Sequence, residues 1–229
     1  MTFHSEPRKC EVGDSATKLR VCLDIETGPE PLGRVKEMLP TIKVPATYKK
    51  EAAIADYKEK ATKAAISRAP LDATTGRVLA IGYGFSDDDD VYIIYKEDEE
   101  ELLIEFWAMY DAISSATWIG FNSHSFDWPF LIRRSMKYGI NFPFEFYKPI
   151  KYQKNFVDLM ELYACGEFQK RISLDRLARF LGVGSKDGSG EDFHLLMKTD
   201  KESAFAYLEK DIRLTRAVWE GWWRDSRLL

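Results

Sequence analysis

The 229-residue chain is predicted to form one α/β domain. Its mixed sheet opens with an antiparallel meander of three strands, continues through helix and strand units, and is flanked by helices. Three observations predict this. An apolar, β-branched run from Leu19 to Ile25 is followed, after a long interruption, by two further strand-like runs joined by a short polar turn. From Glu99 onward the apolar spacing changes to the 3.6-residue period of helices, and helical patterns alternate with short strand-like runs. With 45% hydrophobic and 14% aromatic residues, a chain of this length can bury one sizeable core.

Strand one is expected over Leu19 to Ile25. An insertion from Pro31 to Ala73 follows, bounded by Pro29, Pro31 and Pro70; its interior, Tyr48 to Ser67, is rich in Ala, Lys and Glu. That stretch reads as a helix with a narrow apolar stripe (Ile54, Tyr57, Ala61, Ala65), which would dock lightly. Gly76-Arg77 leads into strand two, Val78 to Phe85, and a turn at Ser86 to Asp90 into strand three, Val91 to Tyr95. The acidic run Asp87 to Asp90 lacks the glycine and ligand spacing of an EF-hand loop and reads as a solvated turn. Glu99 to Ile113 is a helix with Leu102, Leu103, Phe106, Trp107 and Tyr110 on its inner side. Strand four, Thr117 to Phe121, leads to a helix over Phe130 to Tyr138, and Phe156 to Asp158 is a fifth strand. Ser173 caps a short helix to Leu181, with Gly182 as its stop. The last helix, Lys201 to Trp223, has Thr199 and Glu202 spaced as a capping box. Its aromatic stripe of Trp219, Trp222 and Trp223 is read as packing on the protein's own core.

Three acidic constellations lie on this frame. In Val21-Cys22-Leu23-Asp24-Ile25-Glu26-Thr27 the period of a strand turns Asp24 and Glu26 to one face. Like charges buried on one face require either a protonated acid or a metal ion between them. In the second, Asn122-Ser123-His124-Ser125-Phe126-Asp127, an aspartate stands at a strand-to-helix junction, where open α/β sheets assemble their sites. Capping of the following helix, helped by Pro129, is the structural alternative. The third is Tyr207-Leu208-Glu209-Lys210-Asp211, in which Tyr207 and Asp211 share a helical face.

These three segments, in their order and spacing, resemble the exonuclease motifs of the DEDD superfamily of 3'-to-5' exonucleases. Tyr207 in a Tyr-x-x-x-Asp pattern is similar to the tyrosine branch, which includes the proofreading domains of family B DNA polymerases. Ala206 stands where the histidine branch has its histidine. The resemblance spans Leu19 to Val218 and implies a ribonuclease H-like fold, here without an attached polymerase. It further implies that Asp24, Glu26, Asp127 and Asp211 hold two divalent ions, Mg2+ or Mn2+, and that Tyr207 orients the attacking water. Such ions, roughly 4 Å apart, activate water and stabilise the leaving 3'-oxygen; hard cations favour carboxylate ligands. Asp24 would bridge the two. A phenol with an ordinary pKa near 10 is a weak base, which favours positioning over proton abstraction. Asn122 and Phe126 are expected to hold the terminal nucleotide, Thr27 to hydrogen-bond the 3' end, and His124 to contact a phosphate or the nucleotide. Asp158 is a further carboxylate, read either as a strand-end cap or as support behind the ligands.

The expected partner is single-stranded DNA, approached by its 3' end. The net charge of -4 runs against phosphate binding, but between Pro31 and Pro70 nine Lys or Arg face four Asp or Glu. The insertion is therefore read as a basic flap that grips the incoming strand, or as a solvated helix that only shields the sheet. Cys10, Cys22 and Cys165 form no CxxC pair and leave an odd thiol, and the polar stretch Met1 to Lys18 has no signal-peptide core. No run approaches a membrane span, so a cytoplasmic protein without membrane contact is expected. His4, His124 and His194 are too scattered for a zinc set. Rival expectations are an RNA exonuclease, an endonuclease of the same fold, and a non-catalytic binding module, whose mark would be a lost acid.

Overall fold

Five strands, β1 (Arg20–Pro29), β2 (Gly76–Phe85), β3 (Val91–Ile94), β4 (Thr117–Gly120) and β5 (Phe156–Asp158), form one sheet in the order β3-β2-β1-β4-β5. The first three pair antiparallel, whereas β4 and β5 are added parallel to β1. The meander followed by parallel strands is the ribonuclease H-like order expected from the sequence. The computed structural model describes residues 19–186 and 193–222. The polar tail 1–18 with His4 and Cys10, the segment 187–192, and residues 223–229 with Trp223 lie outside the described residues.

Eight helices are described: α1 (Leu32–Met38), α2 (Glu51–Ser67), α3 (Glu99–Ala112), α4 (Asp127–Tyr138), α5 (Leu159–Ala164), α6 (Leu174–Leu181), α7 (Phe193–Thr199) and α8 (Lys201–Trp222). The sequence pattern misses α1, α5 and α7. Each makes about two turns, too few for a 3.6-residue period to stand out. The expected capping box also needs correction. Thr199 is still helical in α7, its hydroxyl donating to the Leu195 carbonyl, and Asp200 caps α8 by accepting from the Ser203 amide at 3.1 Å. Asp competes well with Thr at this position, and one residue of offset is enough to change the cap.

Strand alternation sorts the core into two layers. Val21, Leu23, Ile25, Trp118 and Phe156 face α3 and α4, whereas Cys22, Ala80, Ile119 and Val157 face α6, α7 and α8. Even-numbered residues of β1 therefore look towards α8. Across the β1–β2 ladder Gly82 lies opposite Asp24 and Ala80 opposite Glu26. A side chain on Gly82 would put a Cβ 2.8 Å from Leu208 Cγ, so the glycine is what lets α8 lie close against this face. Trp219, in α8, is buried in the same layer, as expected for a core residue. The insertion behaves as its narrow stripe suggests: α2 contains no fully buried residue.

Candidate active site

Asp24 and Glu26 sit two residues apart on β1, beneath α8, and a register shift between Glu26 and Thr27 bends the strand at this point. From α8, Asp211 points back at them. Carboxylate oxygens of Asp24, Glu26 and Asp211 lie within 4.8 Å of one another, Glu26 and Asp211 being buried. The fourth acid arrives from the other layer. Asp127, the first residue of α4 and also buried, accepts the Ile25 amide at 3.0 Å, which fastens the helix start to β1 beside Asp24. The capping alternative therefore fails for Asp127: its carboxylate is used on β1, and Phe126 occupies the N-cap position without a side-chain cap.

Four clustered acids, three of them buried and Asp24 half-buried, make a strongly unfavourable electrostatic site when all are ionised. Burial, reinforced by Asp127, Glu26 and Asp211, pushes the Asp24 carboxyl well above the usual range. Glu26 is pushed up to about 8 by burial and by the charge of Asp211, with Lys186 opposing. Burial raises Asp127 to about 7 against the amide hydrogen bond from Ile25. Asp211 is likewise raised by burial, with Lys186 opposing. Lys186, which the sequence pattern gives no reason to select, places Nζ 2.5 Å from Asp211 Oδ2 and 4.6 Å from the centroid of the Tyr207 ring. Its amide donates to Asp175 Oδ1 at 2.7 Å, which ties the loop after α6 to that helix.

Tyr207 lies one helical turn before Asp211. Burial, then the charges of Asp211 and Glu26, raises its phenol above the ordinary value, so the neutral hydroxyl is the form present at neutral pH. Tyr207 Oη and Asp211 Oδ1 are both buried and face each other, and no third group of the protein hydrogen-bonds either atom. Unsatisfied buried oxygens are costly, and a hard cation would relieve this cost. The all-oxygen donor set of Asp24, Glu26 and Asp211, with Asp127 beside it, fits Mg2+ or Mn2+.

The remaining expected residues are placed less uniformly. Asn122 follows β4 in a left-handed backbone conformation (φ 62°), half-buried, with its amide donating to Asp158 Oδ1 at 2.9 Å. Phe126 is half-buried, with its ring 5.4 Å from that of Phe130. Thr27 donates its hydroxyl to the Pro70 carbonyl at 2.7 Å, so that proton secures the insertion rather than facing the acids. His124 turns its ring to Glu161, with Nδ1 2.8 Å from Oε2. Asp158 proves to be a hub. Besides Asn122 it accepts from the amides of His124 (3.0 Å) and Met160 (3.0 Å), capping α5 while shaping the 122–124 turn. His124, Asp158 and Glu161 also come within 4.8 Å of one another, but the Asp158 oxygens already serve amide donors. The triplet holds the turn together.

Comparison with known proteins bears on the family and the fold. A family described as predicted 3'-5' exonuclease related to the exonuclease domain of PolB matches residues 71–221, a span that includes Asn122, Asp127, Tyr207 and Asp211 but begins after Asp24 and Glu26. No curated protein matches. Among solved structures, the family B DNA polymerase of the hyperthermophilic archaeon Pyrobaculum calidifontis is similar with a TM-score of 0.58 and 18% identity. The likeness covers 92% of this chain and 25% of the polymerase, so the chain spans about a quarter of that protein, and at this identity it speaks for the fold. None of the helices among the described residues is long and apolar enough to cross a membrane. With a family match over well more than half its length, on a sheet of the matching order, this chain belongs to the predicted 3'-5' exonuclease family related to the exonuclease domain of PolB.

Proposed function

We propose that the chain, as a single exonuclease domain, removes nucleotides from the 3' end of single-stranded DNA by metal-dependent phosphodiester hydrolysis. The observation that carries this reading is the convergence of Asp24, Glu26 and Asp211 within 4.8 Å, from β1 and α8, with Asp127 fastened alongside. Asp24, Glu26, Asp127 and Asp211 would hold two Mg2+ or Mn2+ ions, which when bound supply an acidified water and charge stabilisation at the phosphoryl group. The side chains of the protein do the rest. Tyr207, neutral and beside Asp211, hydrogen-bonds and orients the attacking water. Lys186 offsets part of the carboxylate charge at Asp211. Asn122 and Phe126, at the turn that Asp158 shapes, face the terminal nucleotide, and Thr27 and His124 are the further candidates to meet its 3' end and phosphate. Among the described residues Cys22 and Cys165 form no disulfide, which suits a reducing cytoplasm.

The test is a time course on 5'-labelled single-stranded DNA, RNA and duplex, with Mg2+, Mn2+ or chelator. A ladder of single-nucleotide losses on single-stranded DNA is expected, abolished by chelator. Asp24→Asn and Asp211→Asn should each lower the rate about a thousandfold or more, equivalent to about 4 kcal/mol, with the fold retained. Tyr207→Phe should lower kcat roughly tenfold to a hundredfold with KM little changed. Cutting of closed circular DNA, faster loss of RNA, or full activity in Asp24→Asn would each reject the assignment.

A further inference from the structure

The segment between α4 and β5 carries three of the most exposed large side chains of the described residues: Phe144 at 75%, Tyr147 at 67% and Tyr152 at 76%. Large rings this open, so close together in sequence, are unusual for a soluble surface. They do not hang on a slack loop. Between them Phe146 and Ile150 are buried in the core, Tyr110 donates its hydroxyl to Glu145 Oε1 at 2.8 Å, and Gln153 Nε2 donates to the Glu145 carbonyl at 2.7 Å. Tyr147 stacks on Phe142 at 5.3 Å, and Lys151 Nζ lies 4.9 Å from the centroid of the Tyr152 ring. Lys148, Lys151 and Lys154 are exposed, and none is ion-paired among the described residues.

The location is distinct from the carboxylates. Because β5 runs parallel to β4, with Phe156 opposite Trp118 and Asp158 opposite Gly120, this segment enters the sheet at the amino ends of the parallel strands. Asp24, Asn122 and Asp158 lie towards the carboxyl ends. Exposed rings on an anchored backbone, interleaved with lysines that make no ion pair among the described residues, match one polymer: a single strand of nucleic acid, whose bases stack on aromatic faces while its phosphates meet lysines. We propose that Phe144, Tyr147 and Tyr152 with Lys148, Lys151 and Lys154 form a second, non-catalytic platform for single-stranded nucleic acid at the end of the sheet opposite the acids. It shares with the nuclease reading the premise that the partner is a nucleic acid, but requires neither the metals nor hydrolysis.

The experiment measures fluorescence anisotropy of labelled dT20, rU20 and a duplex of the same length with the full chain in chelator, across a salt series. Hydrolysis of the p-nitrophenyl ester of thymidine monophosphate is followed separately with Mn2+. The triple change K148E, K151E and K154E should weaken single-strand binding at least about thirtyfold at low salt and lower the salt slope by about two. The triple change F144A, Y147A and Y152A should weaken it at least about tenfold with the slope unchanged, because stacking releases no counterions. Both sets should leave ester hydrolysis and the melting temperature as they are. Preference for dT20 or rU20 shows whether the natural strand is DNA or RNA, and tight binding of either over duplex is expected. Unchanged affinity in the aromatic variant overturns the platform, as does equal binding of polyglutamate. So does loss of a self-associated form in sedimentation without loss of oligonucleotide binding, which would make the face a contact between copies. If wild-type protein binds strands through this face yet hydrolyses nothing, the nuclease reading fails and the platform stands. Hydrolysis with binding insensitive to both variants overturns the platform and leaves the nuclease reading in place.

Discussion

Glu26 shows how the individual residues of the site are balanced. Its carboxyl is held at about 8 when folded, against 4.5 as the ordinary value, chiefly because it is buried beside Asp211. A raised acid contributes its full stability below the unfolded pKa and loses it as pH rises towards the folded one. Without metal, the protein should therefore lose stability between about pH 4.5 and 8, by a few kcal/mol in all. Glu26→Gln cannot ionise, so it should flatten that slope and melt higher than the wild type at pH 8 in chelator. Adding Mn2+ at pH 8 should raise the melting temperature of the wild type far more than that of Glu26→Gln. Thermal melts across pH, with and without metal, check both statements. The Asp-x-Glu pair was legible in the sequence because a period of two is short enough to survive in seven residues. Lys186 was not, since it stands in the Gly-rich stretch after α6, where no period operates, and its partner Asp211 is 25 residues away. Likewise, nothing local in the sequence shows that the Thr27 hydroxyl is taken up by Pro70.

At the scale of elements, the site depends on how closely α8 approaches the sheet. The gap is set by Gly82, where a Cβ would stand 2.8 Å and 2.9 Å from two Leu208 carbons and 3.0 Å from Ile212 Cγ1. Leu208 and Ile212 are fully buried, so neither has room to turn away. Gly82→Ala should therefore cost about 1–3 kcal/mol of stability, as overpacking does. It should also lower kcat by more than the stability change suggests, because α8 carries both Tyr207 and Asp211. Pairing it with Leu208→Ala should recover part of the activity, as read from kcat in the two single variants and the double. The amphipathic helices α3, α6 and α8 and the meander announce themselves through their apolar spacing. The junctions do not: Asp158 was recognisable as a strand-end cap, but its grip on the Asn122 and His124 amides, 36 and 34 residues earlier, depends on β4 and β5 lying side by side.

For the molecule as a whole, the question is what the insertion between β1 and β2 is for. Its ends are firmly anchored. Glu30 and Thr75 are joined through the backbone at 2.9 Å, and Arg134, buried on α4, binds Glu99, Glu30 and the Ala73 carbonyl together. An arginine on the inner face of a helix is invisible to hydrophobic periodicity, so this anchor could not be read in advance. The middle, by contrast, matches its sequence: α2 buries no residue fully and shows its lysines to solvent. Firm ends and a lightly docked middle allow either a flap over an incoming strand or a cover for the sheet. The helix α2 itself is charge-balanced, with Lys58, Lys60 and Lys63 against Glu51, Asp56 and Glu59, and the basic surplus of the insertion lies in the flanking residues such as Lys43, Lys49 and Lys50. Lys60 and Lys63 pair with Asp56 and Glu59 one turn back, at 2.9 Å and 2.7 Å, both on the exposed surface. Such pairs are worth a few tenths of a kcal/mol, so changing Lys58, Lys60 and Lys63 to Glu should barely move the melting temperature. If the flap grips phosphates, the same change should raise KM for single-stranded substrate severalfold and reduce the salt dependence of binding, with kcat on the mononucleotide ester unaffected. A triple variant with unaltered KM and unaltered salt slope would leave α2 as a cover for the sheet, and the strand would have to be held by the site residues and the rest of the surface alone.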